Sequence, residues 1–366
     1  MKAQNLAPIC FIFGTRPEII KIAPVIKECL SQGVPFFTLH TGQHYSENMD
    51  SVFWVNLQLP PVNYNLHVGS GSHAVQTAKM LVGIENVLIK EKPGLVLVQG
   101  DTNSVLAGAL VASKLNIPVG HIEAGLRSYD RTMPEEVNRV IAGVIASLHF
   151  APTNNAKENL LLEGINESKI SVTGNTVVDA LYQNVDIANS SSEILKILDI
   201  QKDMYCLLTV HRAENTDDKT RLTSIIESIS EIALKYNYTI IWPMHPRTKK
   251  QIESFQLSDR LKCITNLKVI EPVDYFDMIT LQSNSRLIIT DSGGIQEESC
   301  ILRVPCITLR NNTERPESIG VGANLLTGTN KEDILKGVSI MLKSKRDWVN
   351  PFGDGTASKK IVENIR

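Results

Sequence analysis

No stretch of this 366-residue chain is apolar for long enough to cross a membrane. The apolar run nearest its start, Ile9–Phe13, enters a polar motif at once, which fits neither a signal peptide nor an anchor. None of the six cysteines (Cys10, Cys29, Cys206, Cys263, Cys300, Cys306) stands in a CxxC pair, and no His/Cys set has metal-ligand spacing. A disulfide framework and a zinc module are therefore excluded, and the thiols read as reduced and mostly buried in a cytoplasmic protein. An excess of either charge is also missing: 37 Lys and Arg face 39 Asp and Glu, for a net charge of -2. Such a balance excludes nucleic acid as the main partner, so any phosphate must be held by local cations. There is no cysteine nucleophile, no Ser-His-Asp order, no internal repeat, and no low-complexity segment beyond Ser190–Ser192.

What is present is an alternation of short apolar runs with longer helical patterns from end to end. Strands are expected at Ile9–Phe13, Phe36–His40, Leu95–Gln99, Val119–Glu123, Leu148–Phe150 and Ile170–Val172. A second series is expected at Cys206–Val210, Thr239–Met244, Lys268–Ile270, Leu287–Thr290 and Cys306–Leu309. The pattern predicts two α/β units with parallel sheets, residues 1–175 and 176–345, divided near the polar stretch Asn184–Asp203.

The most informative phrase is Asp291-Ser292-Gly293-Gly294-Ile295-Gln296-Glu297-Glu298. It follows a β-branched run, Ser292 is a good N-cap, and Ile295 onward reads as helix. A strand, a glycine turn and a helix start together point free N–H groups at a phosphate. Glu298 lies where a carboxylate could take ribose hydroxyls. Gly14-Thr15-Arg16-Pro17-Glu18-Ile19-Ile20-Lys21 follows the first strand and offers two cations, Arg16 and Lys21, to a diphosphate. That turn is not G-x-G-x-x-G, which argues against nicotinamide or flavin.

Other candidates also sit at strand ends. Asp101 follows Leu95–Gln99, where it could equally cap the helix 104–115. Glu123 ends an apolar strand and has no helix to cap. On the helix opened by Pro134, Val137, Val140, Ile141, Val144 and Ile145 form the expected buried stripe. Glu135 and Arg139 share its exposed face, where a surface ion pair would explain them. His211, Arg212 and Glu214 follow a strand of the second unit; His245-Pro246-Arg247 follows the next; Arg315 lies in a later loop. Ligands of doubly wound units bind at the carboxyl ends of the strands, and this inventory suits acid/base chemistry on a phosphate-bearing substrate.

In order, the strings GTRPEIIK (14–21), GDTNSVLAGALVA (100–112), HIEAGLRS (121–128), PEEVNR (134–139), GNTVVDAL (174–181), HRAEN (211–215), HPRT (245–248), TDSGGIQEE (290–298) and TERPE (313–317) make the chain resemble the non-hydrolysing UDP-N-acetylglucosamine 2-epimerases from end to end. The resemblance implies a GT-B-like α/β fold of two Rossmann-like domains whose parallel sheets face a central cleft. It also implies a C-terminal helix within 346–366 that joins the first domain, and a homodimer. No cofactor, nucleic acid or membrane is implied. The implied reaction is reversible C2 epimerisation of UDP-N-acetylglucosamine to UDP-N-acetylmannosamine by loss and return of UDP through a 2-acetamidoglucal. The alternatives are a hydrolysing 2-epimerase that releases UDP and N-acetylmannosamine, and a 2-epimerase of a UDP-diacetamido-hexuronate. By the same resemblance Asp101, Glu123, Glu135 and His211 are catalytic. Arg16, Lys21, Arg139, His245, Ser292, Gly293, Gly294, Glu298 and Arg315 bind substrate. Many bacterial members also bind a second UDP-N-acetylglucosamine as activator through two arginines. This chain lacks both, having His44-Tyr45-Ser46, His67-Val68-Gly69-Ser70 and Ala213 in those strings, while Gln43 and His245 remain.

Overall fold

The computed structural model describes residues 7–43, 54 and 57–366, so His44, Tyr45 and Ser46 lie outside the described residues. The chain divides into two compact units, Met1–Ala180 with Phe352–Arg366, and Leu181–Pro351.

The first unit holds a seven-stranded sheet made from β1 (Ile9–Phe13), β2 (Phe36–His40), β3 (Tyr64–Asn65), β4 (Leu95–Gln99), β5 (Val119–Ile122), β6 (Leu148–Ala151) and β7 (Ile170–Val172). Its order is β3-β2-β1-β4-β5-β6-β7, with every pair parallel. β1 and β4 are buried along their whole length, as expected of β-branched runs covered by helices on both faces. The chain leaves β1 toward β2 and later returns to β4 on the other side. The crevice at that reversal opens at the carboxyl ends of β1 and β4.

The second unit repeats the plan with β8 (Tyr205–Thr209), β9 (Thr239–Pro243), β10 (Leu267–Ile270), β11 (Leu287–Thr290), β12 (Cys306–Thr308) and β13 (Asn324–Leu326), in the order β10-β9-β8-β11-β12-β13. Its reversal lies between β8 and β11, which pair in parallel from Cys206↔Leu287 to Thr209↔Thr290. The strands β8, β9 and β11 fill the core with Leu208, Trp242 and Ile289.

The chain returns to the first unit at Phe352, whose carbonyl accepts the Asn175 N–H at 2.7 Å. The last helix, Ala357–Ile365, is tied down by Asp179, which accepts from Ala357 N, Ser358 N and Ser358 Oγ. A buried carboxylate at a helix N-terminus satisfies donors that have no partner within the helix. Asp179 in the string 174–181 is therefore a structural residue.

Two expectations need correction. The helix Pro134–Ile145 forms as expected, but its faces are reversed: Val137, Ile141 and Val144 are exposed, the last at 67%, while Glu136, Asn138 and Arg139 are buried. Arg139 does not pair with Glu135; it donates to Glu136 Oε2 at 2.8 Å and to Asp101. Asp101 is not the cap of the following helix either, because Thr102 Oγ1 accepts from Val105 N and the helix runs Asn103–Lys114.

Candidate active site

In the first unit, Thr15 is the N-cap of the helix Arg16–Ser31, which puts Arg16 at its first position beyond β1. Gly14 admits no side chain here: a Cβ would lie 2.1 Å from both Ser104 Oγ and Thr41 Oγ1. Below the corner, Glu18 is buried and accepts from Gly14 N, Thr15 Oγ1 and Thr102 Oγ1. Burial raises its carboxyl to about 7 against the pull of those donors. Glu18 thus ties the β1 corner to the β4 corner, where Asp101 stands.

Glu123 follows β5 in a left-handed conformation, φ 68°, which few non-glycine residues adopt. Strain of this kind collects at functional sites. Its carboxylate is 7% exposed at the residue level and takes Lys21 Nζ on both oxygens, at 2.7 and 2.9 Å. Gln99 Nε2 donates to Oε2 at 2.5 Å and Asn175 Nδ2 to Oε1 at 3.3 Å. Lys21 is therefore a partner of Glu123. The carboxylate also lies against the β4 turn: a Cβ on Gly100 would stand 3.6 Å from Glu123 Oε2. Asp101 is next in the chain, a third exposed, held by Arg139 through its side chain and by Asn138 Nδ2 through its carbonyl. Glu135 is half-buried and has no hydrogen-bond partner among the described residues. Beneath them His121 is wholly buried with Nε2 2.7 Å from Gly100 O; burial, more than any charge, lowers it to about 4 and keeps it neutral.

In the second unit, β11 ends in Asp291 and the helix Gly293–Ile301 begins two residues earlier than its sequence pattern suggests, capped by Ser292 Oγ on Ile295 N. The helix start lies between a carboxylate and a guanidinium: a Cβ on Gly293 would stand 3.4 Å from Glu314 Oε2 and 3.9 Å from Arg212 Nη2, both ordinary contact distances. Glu314 is held ionised: burial raises it, but Arg310, bonded at 3.0 and 3.2 Å, brings it down to about 2. Arg315 is buried and donates to Glu297 Oε2 at 2.9 Å. Glu298 is half-buried and accepts from Gln282 Nε2 at 2.7 Å. His211, beyond β8, places Nδ1 3.0 Å from Asp291 Oδ1 and its ring 6.2 Å from that of His245. His245 caps the helix Pro246–Ser254, with Nδ1 accepting from Arg247 N; burial, then the neighbouring His211 and Arg247, lower its pKa.

Each unit thus gathers its candidates at the carboxyl ends of its own strands. Asp101, Glu123, Glu135, Lys21, Arg139 and Arg16 belong to the first, and His211, His245, Ser292, Gly293, Gly294, Glu298 and Arg315 to the second. The partners that sequence reasoning passed over are Glu18, Gln99, Asn175, Glu136 and Asp291. Asp291 carried the same signal as Glu123, an acid at the end of an apolar strand, but its glycine-rich context pointed to the backbone instead. Among the described residues no group of three or more His, Cys, Asp or Glu could hold a metal ion.

Known proteins match this chain in sequence and fold over nearly its whole length. The family model for UDP-N-acetylglucosamine 2-epimerase matches residues 29–366. A UDP-N-acetylglucosamine 2-epimerase of Methanocaldococcus jannaschii is 56% identical, over 97% of each chain. A UDP-2,3-diacetamido-2,3-dideoxy-D-glucuronate 2-epimerase of Pseudomonas aeruginosa is 41% identical, over 98% of this chain and 99% of the relative. The crystal structure of the M. jannaschii enzyme in complex with UDP-GlcNAc and UDP superposes with a TM-score of 0.91 at 56% identity, covering 98% of this chain and 99% of that one. By sequence and by fold, the chain belongs to the UDP-N-acetylglucosamine 2-epimerase family.

Proposed function

We propose that this protein interconverts UDP-N-acetylglucosamine and UDP-N-acetylmannosamine at C2 without net hydrolysis. The observation that carries this reading is the pair of carboxylates at adjacent strand ends, Asp101 and Glu123, in unlike surroundings: one partly open beside Arg139, the other closed in by Lys21, Gln99 and Asn175. Removing a proton from one face of a carbon and returning it to the other needs two such groups in different states. In this reading Asp101, Glu123 and Glu135 handle the C2 proton, and His211 serves the departing and returning UDP. Arg16, Ser292, Gly293, Gly294 and Arg315 hold diphosphate and uridine, and Glu298 holds ribose. Lys21 acts through Glu123, Arg139 through Asp101, and His245 lines the sugar-nucleotide site. No redox cofactor is required, since the elimination is redox-neutral.

The test is proton NMR of UDP-N-acetylglucosamine with the protein in D2O. Deuterium should enter C2 and UDP-N-acetylmannosamine should appear as the first product. Free N-acetylmannosamine as the main early product would assign the chain to hydrolysis. The M. jannaschii structure holds both UDP-GlcNAc and UDP, so the activator question has its own test. A lag from pure UDP-N-acetylmannosamine, abolished by trace UDP-N-acetylglucosamine, would establish a second site despite Ala213.

We also propose a homodimer in the cytoplasm. The helix Pro134–Ile145 exposes Val137 and Val144, the helix His73–Glu91 exposes Val75, Val82 and Ile89, and Val137 also lines an open apolar groove of about 530 Å3. A face of this kind is normally covered by a partner. The cysteines fit a reducing compartment, all six being free and five of them buried. No described helix is long and apolar enough to cross a membrane.

A further inference from the structure

Asp291 is fully buried at the end of β11, yet it carries a carboxylate rather than an apolar side chain. Its carboxylate is held by the segment that follows β8, residues 211–215. Oδ2 accepts from Arg212 N at 3.0 Å, Asn215 Nδ2 at 3.1 Å and His211 N at 3.1 Å. Oδ1 accepts from His211 N at 3.1 Å and faces His211 Nδ1 at 3.0 Å. The carboxylate cannot swing away, because the turn under it is pinned: Thr209 and Thr290 share a hydroxyl hydrogen bond at 2.6 Å, and Thr290 Oγ1 accepts from Ser292 N. A buried, acceptor-only group opposite Nδ1 fixes the proton on that nitrogen, since a lone pair facing Oδ1 would leave two acceptors in contact. Nε2 is then the nitrogen left for other chemistry, on a side chain that is 40% exposed.

We propose that Asp291 is the positioning residue of His211, holding Nδ1 protonated so that Nε2 alone exchanges a proton with the diphosphate leaving group. The proposal rests on the role given to His211 above. When the C1–O bond of the sugar nucleotide breaks, the bonding pair stays on the diphosphate oxygen and the Nε2 proton moves to that oxygen. On return of UDP, the C1–O bond forms and Nε2 recovers the proton. Asp291 remains a carboxylate throughout and stabilises the imidazolium that alternates with the neutral ring. Its carboxyl sits below the ordinary range: burial opposes the charge, but His211 and the N–H donors outweigh it.

The discriminating variant is Asp291→Asn. Its amide oxygen keeps the better-supplied position, opposite Arg212 N and Asn215 Nδ2, which turns the NH2 toward His211 Nδ1. Nδ1 must then accept and the proton moves to Nε2. Histidine 15N–1H spectra of the labelled protein, with His211 assigned through His211→Gln, should show Nδ1 protonated in the neutral ring of the parent and Nε2 protonated in the variant. Deuterium entry at C2 should fall 100- to 10,000-fold in kcat, with KM changed only a few-fold. Asp291→Asn added to His211→Gln should cause little further loss. A residue that merely staples the turn would leave the tautomer unchanged and lower stability instead. An unprotonated Nδ1 in the parent overturns the proposal even if the variant fails to fold, and so does a folded variant at the parental rate. If the parent moves no deuterium into C2 at all, the epimerase reading fails. The tautomer and the UDP affinity of parent and variant, measured by calorimetry, then judge Asp291 alone.

Discussion

At the scale of single residues, the chemistry is set by what surrounds each carboxylate. Lys21 on both oxygens, Gln99 and Asn175 occupy the acceptor sites of Glu123, so it can act only if substrate displaces a donor. Asp101 has its charge compensated by Arg139 and stays a third exposed, open to solvent. Glu135 has no such support. Conversion of each to its amide should therefore separate them. Glu123→Gln and Asp101→Asn should each lower the rate of deuterium entry at C2 on the order of 100- to 10,000-fold, as loss of a positioned acid or base does. Far-ultraviolet circular dichroism and UDP binding should stay near parental. A Glu135→Gln variant within a few-fold of the parent would remove that residue from the proton chemistry, and the same result for Glu123 would remove the core of the proposal.

At the scale of elements, the strand ends require close approaches that particular glycines permit. Gly125, just after Glu123, has φ 86°, and a Cβ there would lie 2.1 Å from Ala156 O, a backbone atom of the helix Asn154–Leu162. Gly33 is also left-handed, φ 65°, but has nothing within 4 Å of its virtual Cβ. Gly33→Ala should lose only about 1–2 kcal/mol, the cost of the left-handed conformation. Gly125→Ala should lose more than about 4 kcal/mol, because strain and a backbone clash combine. Urea unfolding measures both, and equal losses would show that the clash relaxes. The same contrast explains what could be read in advance. Long strands such as β1, β4 and β11 announced themselves as β-branched runs, and strand-end acids such as Glu123 stood out because a charge there has no local use. β3 and β13 were missed because two or three residues, two of them asparagine, carry no period. On the helix Pro134–Ile145 the period was read correctly and the face wrongly. Val137, Ile141 and Val144 of its apolar stripe are exposed while Ile145 still packs on the core, and Arg139 and Glu136 face inward because Asp101 and the loop N–H groups of Ser128 and Tyr129 need them. Periodicity marks two faces of a helix but does not say which neighbour covers each.

At the scale of the whole molecule, those exposed valines should be met by a second copy. Val82→Glu with Val144→Glu would place charge on positions that are 63% and 67% exposed here, so the fold should survive while a dimer should not. Sedimentation should give a dimer for the parent and a monomer for the double variant; a monomeric parent would remove the dimer. Two buried groups of the first unit make stability depend on pH in opposite directions. His121 titrates near 4 when folded, against an ordinary 6.5, so on acidification the unfolded chain gains a proton that the folded chain refuses. Its contribution is present above 6.5 and is lost as pH falls toward 4. Glu18 titrates near 7 when folded, against 4.5, so its contribution is present below 4.5 and is lost as pH rises through 7. Each effect amounts to about 3 kcal/mol at 1.4 kcal/mol per unit, and between 4.5 and 6.5 these two contributions offset one another. Glu18→Gln keeps the shape and the acceptor oxygen but removes the ionisation, so only the His121 slope remains. Unfolding free energies from urea titrations at pH 5 and pH 7.5 should show the variant gaining on the parent by about 2–3 kcal/mol across that interval. A variant that differs from the parent by the same amount at both pH values would mean that the donors from Gly14, Thr15 and Thr102 keep Glu18 ionised in spite of its burial.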